Sequence, residues 1–383
     1  MRGTPGFVPE RLRQALNGLE LSANALAAQV GVKRQAISEL ERGNSTPRPE
    51  VFERLAELLK QPREFFLKPV PEKKLSNPVF YRSMASATKS ARNRAEARLK
   101  WLEEFAEFIE RYVNLPKAKI PIFEWLSKHP ASLSNEDIEE AALNLRRMWG
   151  LSDSQPVPNL VRLLELNGGV IVSDDLHADS LEALSVWSEH QLRPYIILNS
   201  LKNTTVRARL SLAHELGHLV LHRHVSVESI KTPELFSMLE EQAFLFAGAF
   251  LLPSEGFLED VYALSLDRLK VLKPKWRVSI GAMLKRCETL GILCGEDKDR
   301  IWYNYGHRKW RKQEPFDSEW LLEEPKLLFK AFELILESGV ISKEDISRTI
   351  GLSTEVVSAF ANLPDDFLEQ APFETAQLKL NFN

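Results

Sequence analysis

Residues 214–218 of the chain read His214-Glu215-Leu216-Gly217-His218. Residues four apart share one face of a helix, so His214 and His218 can bind one Zn²⁺ through neutral imidazoles. Glu215 is turned about 100° from His214 on such a helix, which puts it beside a bound metal and not on it. A general base must stand there to take a proton from water. The metal would lower that water's pKa to about 7 and polarise a carbonyl. A pair of core histidines is the plainer alternative, since this spacing also arises by chance in a chain with 8 histidines. The surroundings argue against it. Leu210, Leu212, Ala213, Leu216, Leu219 and Val220 make the segment apolar, and polar rings there need a partner.

A catalytic zinc takes a third protein ligand and keeps one position open. The next predicted helix offers Glu240 and Glu241. Ala243 and Ala247 follow Glu240 by three and seven residues, lie on its face and would let the two helices approach closely. Glu241 faces elsewhere, so Glu240 is preferred as the third ligand. His222 continues the four-residue spacing but has drifted about 80° from His214, which suits packing or support of a ligand. His177, His190 and His307 read as surface or loop residues. An electrophile that stabilises a tetrahedral intermediate is needed in such chemistry. Tyr195 and His222 are the candidates, and nothing in the sequence chooses between them.

Helices over Thr205–His222 and Pro233–Leu252 must carry these residues. The second starts on strong signals: Thr232 as N-cap, Pro233 at the first helical position and Glu234 in the first turn. Ahead of them, Val170–Val172, Ala183–Trp187 and Tyr195–Leu198 read as strands, the last two joined through a hairpin loop at Ser188–Pro194. Helices are predicted at Asn135–Trp149 and Val157–Asn167, and a long one at Ser90–Asn114 with apolar positions at three- and four-residue steps. Pro69–Lys74 reads as a linker.

Near the N-terminus, a helix at Ser22–Val30, a turn at Gly31 and a helix at Lys33–Glu41 make a helix-turn-helix arrangement. Lys33, Arg34, Gln35 and Ser38 would face outward on the second helix, where donors meet base edges and phosphates. Arg42 could reach the backbone. A small helical bundle with a solvated charged face would show the same charge pattern.

The chain has 383 residues, too many for one ordinary domain. Its net charge of −3 argues at first against nucleic acid. Residues 1–128, however, hold 23 Lys and Arg against 15 Asp and Glu, or +8, and the rest holds 27 against 38, or −11. The basic part contains the helix-turn-helix and a basic helical extension. The longest apolar run, Phe244–Leu252, is stopped by Pro253, short of the roughly 20 residues of a membrane span. No signal peptide is evident after Met1. Cys287 and Cys294 are the only 2 cysteines. They read as free, partly buried thiols of a cytoplasmic protein. A second helix–turn–helix rhythm at Val340–Val357 has no Lys or Arg from Glu355 to Pro364, so it suits packing or protein binding. The acidic run Glu319–Glu324 beside it fits a partner surface.

The stretch Leu21–Gly43, with Pro47, Leu55–Leu59 and Phe65-Phe66 after it, resembles the Cro/repressor-like (XRE) family. One departure is Ala23, where that family often has a phosphate-contacting Gln. Asn199 and Val206–His222, then Glu240, Ala243, Phe246-Ala247 and Leu251-Leu252-Pro253, resemble the ImmA/IrrE metallopeptidases. So do Trp276–Ile280 with Arg286 and Gly291, and Trp310–Pro315. The resemblance implies zinc on His214, His218 and Glu240 with Glu215 as catalytic base. Phe244 departs from the Asn usual in that family, which would remove a supporting hydrogen bond.

The expected fold is multi-domain and mainly α with a small β-sheet. An all-α helix-turn-helix domain spans 9–68 and a linker with a long basic helix spans 69–130. A zincin-like α+β metallopeptidase domain spans 131–315, and a helical module closes the chain at 316–383. The resemblance implies a protease that binds operator DNA and cleaves a transcriptional repressor. The competing class is a transcriptional regulator or antitoxin whose peptidase-type domain binds a partner such as a toxin, or senses a signal. A purely structural zinc is the weakest alternative. Repressor-like domains pair on half-sites, so a homodimer is expected.

Overall fold

The computed structural model describes residues 3–70, 80–81, 88–126, 129–178, 181–200, 204–226, 232–343, 345–364 and 367. Five helices open the chain: α1 (Pro9–Gly18), α2 (Ala23–Val30), α3 (Arg34–Arg42), α4 (Pro49–Leu58) and α5 (Arg63–Leu67). Ser22 starts α2 by accepting a hydrogen bond from the Ala25 amide at 3.2 Å. The chain leaves that helix through Gly31 at φ 80°, which a residue with a Cβ adopts only under strain. Leu12, Leu16, Leu26, Val30, Ile37, Phe52, Leu55 and Phe66 are buried between the helices. Of the proposed linker, Pro71–Lys74 lies outside the described residues.

A two-residue strand β1 (Phe80–Tyr81) precedes the long helix α6 (Lys89–Glu110). Then come α7 (Asn135–Met148), α8 (Leu160–Leu166), β2 (Val170–Asp174), β3 (Ala183–Ser188), β4 (Arg193–Asn199), α9 (Thr205–Leu221) and α10 (Pro233–Leu251). After these come α11 (Ser254–Asp260), α12 (Leu266–Trp276), α13 (Ile280–Thr289) and α14 (Gly295–His307). The C-terminal module holds α15 (Leu327–Glu337), α16 (Ile346–Ile350) and α17 (Thr354–Ala361). No single described helix is long and apolar enough to cross a membrane.

The sheet has the order β1-β3-β4-β2. β3 and β4 form the expected antiparallel hairpin, closed by Ser188 opposite Arg193, and β2 runs parallel to β4. Side chains alternate across a strand, so the sheet serves two cores. Val172, Leu184, Val186, Tyr195 and Ile197 face one core with α6, and Ile171, Ala183, Ile196 and Leu198 face the other with α9.

The first core crosses the boundaries expected near residues 68 and 316. It joins the helix-turn-helix, α6, one sheet face and α15–α17. Trp101 of α6 stacks edge-on against Phe65 at 5.7 Å between ring centroids, and Phe105 meets Phe332 at 5.9 Å. Of the basic residues of α6, Arg94 and Arg98 turn inward. Arg98 pairs with Asp174 at 2.5 and 2.7 Å. Arg94 holds the Gly18 carbonyl at the end of α1 and the Asp175 carbonyl after β2. The acidic run also turns inward at Glu323. Its carboxylate caps α8 through the Leu160 amide at 2.7 Å and pairs with buried Arg209 of α9. Glu323 is therefore an internal brace and not part of a partner surface.

Candidate metal centre and nucleic-acid face

Helices α9 and α10 lie close because Gly217 faces Ala243. A Cβ on Gly217 would stand 3.0 Å from the Ala243 carbonyl oxygen and 3.3 Å from the Phe246 Cβ, closer than ordinary packing permits. Ala243 and Ala247 are both fully buried. This approach sets Glu240 over the two histidines. His218 Nε2 lies 3.1 Å from His214 Nε2 and 3.1 Å from Glu240 Oε1, while His214 Nε2 lies 3.4 Å from Glu240 Oε2. Tetrahedral ligands at zinc's usual bond lengths stand about 3.3 Å apart. Two imidazoles and one carboxylate with these separations fit that ion. Among the described residues this triad is the one group of His, Cys, Asp and Glu able to hold a metal. Glu241 is exposed.

Burial opposes ionisation of Glu240, yet hydrogen bonds and charge from His214 and His218 outweigh it and hold the carboxyl down at about 2. The carboxylate is thus charged and fit to ligate at neutral pH. His214, Glu215 and His218 are themselves fully buried.

Behind His218 runs a chain of polar groups. The Gln242 amide donates from Nε2 to the Pro130 carbonyl at 2.7 Å, which leaves Gln242 Oε1 to accept from His222 Nε2 at 2.9 Å. Burial and the neighbouring His218 push the His222 imidazole well below its ordinary pKa, against the Gln242 bond, so the ring is neutral. A neutral ring protonated at Nε2 has a lone pair on Nδ1. That lone pair accepts from His218 Nδ1 at 3.0 Å. His218 Nε2 faces the cluster, where it bonds Glu240 Oε1 at 3.1 Å as an N–H donor or, with that proton given up, would present its lone pair to a metal. A second ring nitrogen committed in this way fixes the tautomer of a metal-binding histidine.

Glu215 is held from the sheet. Ser185 of β3 donates its hydroxyl to Glu215 Oε2 at 2.6 Å, with both residues fully buried. Ser185 and Gln242 do not stand out as site residues on spacing. The available signals are a lone polar residue at an inward position of an apolar strand, and an amide beside Glu240-Glu241. Tyr195 lies with the opposite core, and its hydroxyl bonds Gln191. It cannot serve as the electrophile. Phe244 covers His214, their ring centroids 4.2 Å apart, and is 38% exposed. It gives the ring an apolar wall where an Asn would give a hydrogen bond.

On the helix-turn-helix, Lys33 is the N-cap of α3 and is exposed, as are Arg34, Gln35 and Arg42, with Ser38 partly so. Arg42 stands 3.5 Å from Glu39 in a surface pair. The rear of the module, through Phe65 and Arg11, packs on α6. The proposed recognition face therefore stays open while the module is anchored. The expected surface residue His177 is half-exposed but bridges the two parts, with Nδ1 3.1 Å from Glu20.

A comparison with curated proteins gives no match. The helix-turn-helix family matches residues 12–66, and the family described as IrrE N-terminal-like domain matches residues 165–288, which contain the triad and Glu215. The chain thus joins a helix-turn-helix DNA-binding domain to an IrrE-type peptidase domain.

Proposed function

We propose that the chain is a DNA-binding regulatory zinc endopeptidase that cleaves a transcriptional repressor and so relieves repression. The observation that carries this is the convergence of His214, His218 and Glu240, with Glu215 tied to Ser185 beside them. His214 Nε2, His218 Nε2 and a Glu240 oxygen would hold the ion. Zinc would supply Lewis acidity, polarising the scissile carbonyl and making water acidic near pH 7. Glu215 would take the proton on its carboxylate and return it to the leaving amine. The Ser185 hydroxyl would keep that carboxylate aimed.

Lys33, Arg34, Gln35, Ser38 and Arg42 are the proposed contacts to double-stranded operator DNA. A homodimer on paired half-sites, in the cytoplasm where the operator lies, completes the picture. DNA binding would raise the effective concentration of the protease near an operator-bound substrate. Purified chain with zinc, incubated with repressors encoded beside its own gene, should yield fragments that a Glu215→Gln control does not. Fragments that persist in the control, or none in either sample, would refute the protease assignment.

One observation favours a second reading. Phe244 stands against His214 where a polar group would support it, which suits a regulator or antitoxin whose peptidase-type domain binds a toxin or senses a signal. Full zinc loading without cleavage of any repressor would select it.

A further inference from the structure

Three contacts tie α9 to β3, in the same order along both. Ser211 donates to Glu182, just before the strand, at 2.8 Å, and Ser185 donates to Glu215 at 2.6 Å. Beyond them, the guanidinium of Arg223, two residues past the end of α9, lies 4.6 Å from the centre of the Trp187 ring. The strand and the helix thus run side by side in one direction. Side chains two apart on a strand share a face, so Trp187 stands on the face of Ser185, about 7 Å further along. Both Trp187 and Arg223 are half-buried.

Other enclosed arginines are closed on carboxylates: Arg11 on Glu104, Arg98 on Asp174, Arg209 on Glu323 and Arg286 on Glu139. Arg223 has no such partner within 4 Å among the described residues, where its one hydrogen bond runs from Nη1 to the Ile120 carbonyl at 3.4 Å. Burial lowers its pKa against the charge of Glu189, yet a guanidinium stays charged at neutral pH. Stacking on an indole engages the flat face of the guanidinium and leaves the N–H groups at its rim able to donate. A half-desolvated cation gains most from a ligand that brings the opposite charge. The rigid fork matches a carboxylate, which accepts two parallel hydrogen bonds.

We propose that Arg223, stacked on Trp187, selects an acidic side chain of the substrate, aspartate or glutamate, two or three residues from the scissile bond. The proposal rests on the peptidase reading above, which places the scissile carbonyl at the metal beside Glu215. An extended chain advances about 3.3 Å per residue, so two or three residues span the distance from Ser185 to Trp187. Arg223 is then a specificity residue that touches substrate away from the reacting atoms. It would confine cleavage to repressor segments that carry a carboxylate in that register.

The test uses the full chain, zinc-loaded, and peptide hydroxamates, whose zinc-binding group fixes their register. One series carries the hydroxamate at its C-terminal end and the other at its N-terminal end, so both sides of the metal are probed. The opposite ends are blocked by an acetyl or an amide, which leaves side chains as the only carboxylates. Each series places Glu or Gln two or three residues from the hydroxamate, and calorimetry reads the affinities. At one of these positions Glu should bind about tenfold more tightly than Gln. Arg223→Gln should abolish that preference and leave the Gln peptide within about twofold of its original affinity. No preference for Glu at any position, or a preference that survives Arg223→Gln, would overturn the proposal. So would an equal loss for both peptides, the mark of a packing role through Ile120. Should Arg223→Gln fail to fold, the unaltered chain decides. Raising the salt from about 0.05 to 0.5 M should shrink the preference for Glu, and a preference indifferent to salt would overturn the proposal. Because affinity is read without turnover, failure of the peptidase reading would show separately, as intact repressor beside a chain that still prefers the Glu peptide.

Discussion

Arg11 of α1 and Glu104 of α6 form a fork-to-fork ion pair, with Nη1–Oε1 at 2.6 Å and Nη2–Oε2 at 3.1 Å, inside the first core. Arg11 also donates to the carbonyls of Lys68 and Pro69, where the helix-turn-helix ends. Further along the same helix, Arg98 grips Asp174 at the end of β2. α6 therefore fixes the reading head to the sheet that carries Ser185. Among the described residues, the helix-turn-helix and the sheet that carries Ser185 are thus both packed on α6.

This pair sets a first prediction. Glu104→Ala leaves the fully buried Arg11 guanidinium without its carboxylate, and breaking such a pair costs about 3–5 kcal/mol. Urea unfolding of the variant should show that loss. A loss below about 1 kcal/mol would mean that the pair behaves like a solvated surface bridge.

The thiols differ by environment. Cys287 is fully buried, and burial pushes its pKa up to about 12, against the nearby Arg286 charge. Cys294 is exposed. At pH 8 the native protein should therefore react with one equivalent of a thiol reagent, and with a second only after unfolding. Fast reaction of both thiols in the native state would contradict the packing around α13.

What was legible in the sequence was local or periodic. The four-residue spacing of His214 and His218, and the face shared by Glu240, Ala243 and Ala247, follow from helix geometry alone, and the structure brings those residues together. What was hidden depends on distant partners. Arg94 and Arg98 look like solvated charges on a basic helix until Asp174 and the carbonyls of Gly18 and Asp175 come to meet them. Glu323 belongs to an acidic run, yet its partners Leu160 and Arg209 lie more than a hundred residues away in sequence. Phe80–Tyr81 is too short for any period, so its pairing with β3 exists only in three dimensions.

The relay through Gln242 predicts a defect in metal binding. Gln242→Leu removes the acceptor that holds His222 Nε2–H, so the His222 ring can change tautomer and release His218 Nδ1. Zinc affinity should fall about 10–100-fold, as for other outer partners of metal-binding histidines. Glu240→Ala should cost more than that, and Glu241→Ala should cost nothing measurable. Competition titrations against a chromophoric chelator read all three. A Gln242→Leu chain with unchanged affinity would show that the tautomer is held some other way.

Ser185 offers the sharpest separation of chemistry from structure. Its hydroxyl touches Glu215 and no proposed metal ligand, so its removal should leave zinc binding intact. The hydroxyl donates to the Glu215 carboxyl at 2.6 Å, and under the proposed mechanism it would orient the group that moves the proton. Ser185→Ala should lower kcat for repressor cleavage by about tenfold or more, with KM little changed, because only the step that uses Glu215 is affected. Ser185→Thr keeps the hydroxyl and should recover most of the rate. A merely structural role predicts a different pattern, in which stability falls, KM and kcat move together, and Thr in this fully buried position is worse than Ala. Unchanged kcat in Ser185→Ala would release Glu215 from any dependence on the sheet.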